Sequence, residues 1–71
     1  MEFCDYLKKT RSFYGLTQAE LAVKLGYAQT TVSDIENKRK HASEKFKAAL
    51  IRHFPRTDEF ERFLYERGFI K

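Results

Sequence analysis

Apolar residues recur along the chain at three- and four-residue intervals, and each run closes on a glycine, a proline or a polar turn. That pattern predicts five short amphipathic helices. The first runs from about Phe3 to Tyr14, with Phe3, Leu7 and Tyr14 on one face, Tyr6 and Phe13 beside them, and Gly15 placed for a left-handed stop. A second opens at Thr17, where Glu20 completes a capping box ahead of Leu21, Ala22 and Leu25, and it ends at Gly26. A third spans about Gln29 to Glu36, with Val32 and Ile35 on one side and polar residues on the other. After a basic loop from Asn37 to Ala42, Ser43 caps a fourth helix carrying Phe46, Ala49, Leu50 and Phe54, which Pro55 stops. The fifth begins near Thr57 or Asp58, opens with acidic residues that suit the positive end of its dipole, and runs to Arg67 with Phe60, Phe63 and Leu64 as its stripe.

Seventy-one residues make a single domain, and hydrophobic and charged fractions of 42% and 34% describe a chain that folds. With one cysteine, Cys4, no internal disulfide can form, so the sequence fits a reducing cytoplasm and the core holds without covalent help. Seven Phe and four Tyr extend that core, since each ring can bury about 150 to 250 Å². The longest apolar run, Ala48 to Ile51, is far too short for a membrane span, and the acidic start at Glu2 and Asp5 is unlike a signal peptide.

Catalytic and metal chemistry find no footing. There is no glycine-rich phosphate loop and no nucleophile–histidine pair on a recognisable scaffold, and His41 and His53 with a distant Cys4 lack the number and spacing of zinc ligands. The expectation is a non-enzymatic protein without cofactor, metal or small-molecule substrate, in which Cys4 is a buried small hydrophobe.

The second and third helices carry the functional reading. Two short helices joined by a tight turn pack steeply only if their contact residue is small and the turn accepts a positive φ, and Ala22 and Gly26 meet those demands. A side chain at Gly26 would strain the left-handed turn by about 1 kcal/mol. With Leu21, Leu25, Val32 and Ile35 closing the wedge, Gln29, Thr30, Ser33 and Asp34 project outward as hydrogen-bonding side chains on a helix that fits a major groove.

The segment Leu16-Thr17-Gln18-Ala19-Glu20-Leu21-Ala22-Val23-Lys24-Leu25-Gly26, followed by Thr31-Val32-Ser33-Asp34-Ile35-Glu36-Asn37, closely resembles the Cro/repressor-type helix-turn-helix family. The match extends from about Arg11 to Leu50. It implies an all-α, five-helix, lambda-repressor-like domain in a DNA-binding transcription regulator, similar in size to small phage Cro-like proteins. It implies further that Arg11 and Glu36 form a structural pair and that Gln18 touches a phosphate. Ala28, Gln29, Thr30 and Asp34 would then face base edges. Where the family often has glycine just after Asn37, this chain has Lys38.

Charge supports a polyanionic partner. The chain carries a net +4, and the excess is concentrated in residues 36–56, with seven basic residues against two acidic ones. Lys38, Arg39 and Lys40, together with His41 and Lys45, would flank the groove and contact phosphates, with Asn37 beside them in the DNA-binding set, although a solvated loop is the reading such a run earns without the helices before it. Gln29 can pair with adenine through its amide, and Thr30 can offer a hydroxyl or pack on thymine. Asp34 is repelled by phosphates unless it accepts from a cytosine amino group or bridges on the helix surface.

The expected partner is double-stranded operator DNA, bound by a Cro-like repressor acting by occlusion in a bacterial cytoplasm, with no room after the five helices for an effector module. The competing reading keeps the fold and makes the protein an antirepressor or antitoxin-like partner that binds another regulator through the third helix or the aromatic carboxy-terminal segment. Phe60, Phe63, Leu64, Tyr65, Phe69 and Ile70 there either complete the monomer core or seat a partner, a second copy included.

Overall fold

The structure, a computed structural model, describes residues 2–66. Five helices follow one another, α1 Phe3–Tyr14, α2 Gln18–Leu25, α3 Gln29–Glu36, α4 Glu44–His53 and α5 Asp58–Glu66, and the described residues include no strand. The fold is all-α, and α5 is described as far as Glu66; the expected end at Arg67 lies outside the described residues together with Phe69 and Ile70.

Helix starts follow from local chemistry. Thr17 Oγ1 accepts from the Glu20 amide at 3.1 Å while Glu20 Oε1 accepts from the Thr17 amide at 2.8 Å, which completes the capping box. Ser43 and Thr57 accept from the amides of Phe46 and Phe60 at 3.1 and 3.2 Å.

The ends of the first three helices share one device. At the close of α1, Gly15 sits at φ +66 and the Leu16 amide donates to the Arg11 carbonyl; at the close of α2, Gly26 sits at φ +77 and the Tyr27 amide donates to the Ala22 carbonyl. A Cβ built on Gly26 meets no atom within 4 Å, so the turn needs glycine for its backbone angle and not for space. The end of α3 repeats the motif with Lys38 at φ +62, the one positive-φ residue other than glycine among the described residues. Its amide donates to Ile35 O at 3.2 Å and that of Arg39 to Asp34 O at 2.8 Å. Lys38 therefore takes the place that glycine fills after α1 and α2, and the chain leaves α3 by a defined turn.

The core is the set of apolar stripes brought together. Leu7, Leu21, Ala22, Leu25, Val32, Ile35, Phe46, Leu50 and Phe54 form one buried cluster. Ala22 is 2% exposed where α2 packs on α3, as a close approach of two helices requires. A second layer is aromatic and fastens α5 to α1: the Phe60 ring lies 4.9 Å from Phe13, 5.8 Å from Tyr6 and 5.9 Å from Tyr14. Phe60 and Leu64 are fully buried, so these two residues complete the monomer core, whereas Tyr65 stays exposed.

Candidate nucleic-acid interface

Helix α3 is held from behind and open in front. Val32, Ile35 and Glu36 are buried, while Ala28, Gln29 and Thr30 at its start are exposed. Ala28 is the N-cap and supplies no side-chain acceptor, so the first turn presents amide N–H groups and the positive end of the helix dipole beside Gln29 and Thr30.

The buried side is locked by charge. Arg11 donates from Nε to Glu36 Oε2 at 2.9 Å and from Nη2 to Oε1 at 3.2 Å, and its Nη1 donates to the Leu16 carbonyl at 3.2 Å. Gln18 Nε2 donates to the same Glu36 Oε1 at 3.0 Å. One carboxylate thus ties α1, the start of α2 and the end of α3 together. Gln18, the expected phosphate contact, is half-buried with its amide nitrogen turned toward Glu36.

Further along α3 the polar residues are engaged with the turn that follows. Asn37 Nδ2 donates to the Ser33 carbonyl at 2.9 Å and to Ser33 Oγ at 3.3 Å. Asp34 accepts from Arg39 Nε at 3.2 Å and its backbone carbonyl accepts from the Arg39 amide. Ser33 and Asp34 are half-buried and do not project freely as the helical pattern suggested, because the left-handed Lys38 folds the chain back beside them.

The loop cations are exposed but differently occupied. Lys38 Nζ lies 2.8 Å from Glu2 Oε2, Arg39 is on Asp34, and Lys40 has no ion pair among the described residues. The ammonium of Lys38 and the thiol of Cys4 hold the Glu2 carboxyl below its ordinary value, and the Lys38 ammonium is raised in return. Sequence reasoning missed Glu2 altogether, since nothing local to Met1-Glu2-Phe3 marks a residue that will meet the far end of α3.

Cys4 is half-buried at the start of α1, and Sγ donates to Glu2 Oε2 at 3.3 Å; burial followed by that hydrogen bond raises its thiol pKa, which opposes nucleophilic use. Glu2, Cys4 and Asp5 bring ligand-type atoms within 4.8 Å of one another, but the Glu2 carboxylate is already paired with Lys38. His41 and His53 are exposed on separate elements.

Among the described residues no helix is long and apolar enough to cross a membrane. The family model described as helix-turn-helix matches residues 7–58, which run from Leu7 within α1 to the first residue of α5. No curated protein and no solved structure matches the chain.

Proposed function

The chain belongs to the Cro/repressor-type helix-turn-helix family, a family of DNA-binding regulators, and from that premise we propose that it is a sequence-specific transcription repressor of the Cro-like kind. In this reading Ala28, Gln29 and Thr30 address base edges in the major groove and Lys38 and Lys40 address phosphates, while Gln18, Ser33, Asp34, Asn37 and Arg39, already hydrogen-bonded within the protein, join them only by exchanging those partners. Repression follows from occlusion of the bound site.

One observation carries the proposal: the exposed, uncapped start of α3 stands on a helix whose opposite face is fully packed and charge-locked. Recognition needs a rod that keeps its place while its polar residues exchange water for base edges, and Val32, Ile35 and the Arg11–Glu36 pair supply that rigidity. Asp34 also ceases to be an obstacle. Its carboxylate is compensated by Arg39, so the phosphate lattice meets a neutral pair and not an isolated anion. The same pair weakens the antirepressor reading, since it leaves no uncompensated acid at Asp34 for a basic protein partner to meet.

The test is selection of sites from a random duplex pool with the whole chain, followed by anisotropy titration of the selected and scrambled duplexes at rising salt. Specific recognition is expected to favour the selected site by about a thousandfold or more, with log K falling linearly in log salt by about 0.9 per neutralised phosphate. Equal binding to both duplexes, or none, would remove the proposal.

A further inference from the structure

We propose that Glu2 occupies, in the free protein, the place that a DNA phosphate takes in the complex, so that its carboxylate competes with DNA for Lys38 and lowers the affinity of the loop. The inference rests on the DNA-binding reading above and adds to it a regulating residue that lies outside the helix-turn-helix.

The two residues meet across a cleft of about 300 Å³ between the start of α1 and the turn after α3. Lys38, Lys40 and His41 stand on one wall, and Glu2, Phe3 and Cys4 on the other. Glu2 Oε2 accepts from Lys38 Nζ at 2.8 Å and from Cys4 Sγ at 3.3 Å, two donors converging on one anionic oxygen as they would on a phosphate oxygen. The position of Lys38 is set by its left-handed backbone and the hydrogen bonds that close α3, so its ammonium has a defined base from which to reach either anion.

Exposure makes the exchange feasible. The Lys38 and Glu2 side chains are 63% and 61% exposed, and such pairs contribute little to stability, so a phosphate can displace the carboxylate without disturbing the fold. The Arg11–Glu36 pair cannot exchange in this way because Glu36 is 2% exposed. Glu2 also makes no side-chain cap on α1, so its removal leaves the helix start as it is. Its carboxyl, ordinarily near 4.5 and lowered further by Lys38, is ionised at neutral pH and so able to compete.

A mutant cycle on the full chain tests the proposal, using the duplex selected above and anisotropy at low salt. Glu2→Gln is expected to tighten binding about two- to five-fold, the size of an exposed ion pair converted to affinity. The gain should vanish in a Lys38→Gln background, and Asp5→Asn, which neutralises a neighbouring acid that acts on Lys38 weakly through space and forms no ion pair with it, should leave affinity within about 1.5-fold of the parent. A Glu2→Gln gain that persists without Lys38, or an equal gain from Asp5→Asn, would show general repulsion and overturn the competition. No change in Glu2→Gln with DNA binding intact overturns it as well. Loss of DNA binding in every protein, the parent included, would instead sink the DNA reading on which it stands.

Discussion

Arg11 and Glu36, twenty-five residues apart, meet through two parallel N–H donors and two carboxylate oxygens, and Glu36 is 2% exposed. The geometry is that of a fork gripping a buried anion, and it fixes α1 against the end of α3. No buried side-chain nitrogen or oxygen among the described residues lacks a partner, so the pair sits in a fully satisfied interior.

Removing one partner should cost more than removing both. Arg11→Met leaves Glu36 buried with only Gln18 as donor and is expected to destabilise by about 2 to 3 kcal/mol, below the usual cost of breaking a buried pair because Arg11 is 29% exposed. The double variant Arg11→Met with Glu36→Met should recover part of that loss. Chemical denaturation of the three proteins measures it, and a double variant less stable than the single one would contradict the account.

Lys38 is the residue that a glycine could replace. A left-handed L-residue costs about 1 to 2 kcal/mol, which offsets the backbone entropy and the exposed ion pair that Lys38→Gly gives up, so this variant should be as stable as the parent or slightly more so. Lys38→Val, with a β-branched side chain at φ +62, should be clearly less stable. Melting temperatures in the order Gly, Lys, Val are expected, and Val equal to Gly would refute the strain.

The capping box carries a pH signature. Hydrogen bonds from the backbone and then the side chain of Thr17 hold the Glu20 carboxyl below its ordinary value of 4.5, so the unfolded chain takes up that proton first. The contribution is complete above 4.5 and is lost as pH falls below it through the folded value. Glu20→Gln keeps an acceptor for the Thr17 amide but does not titrate, and should flatten that part of the acid decline in melting temperature while the part from Glu2 persists. An unchanged acid slope would show that the box does not hold the carboxylate.

Base and phosphate contacts separate by their mutants. Gln29→Ala should relax preference at one base pair by about 1 to 3 kcal/mol, whereas Lys40→Ala should weaken all duplexes alike and reduce the salt slope by about 0.9. Competition titrations with single-base-pair variants distinguish the two. A uniform loss in Gln29→Ala would move that residue from base reading to positioning.

What a few neighbouring residues can settle was legible in advance. The capping box at Thr17 and Glu20, the cap at Ser43, the start of the fifth helix near Thr57, the left-handed stops at Gly15 and Gly26, and the apolar stripes that become the core all act over three to five residues. Exposure of Gln29 and Thr30 follows from the same periodicity, once Val32 and Ile35 are known to face inward.

Only the tertiary structure decided where the charges go. Glu2 reaches Lys38, Arg39 folds back on Asp34, and Gln18 turns to Glu36 because packing of α1 and α2 against α3 and the left-handed turn at Lys38 bring those side chains within 4 Å. A helix is written by interactions between near neighbours in the chain, whereas an ion pair depends on distance through space, which exists only after the helices have docked.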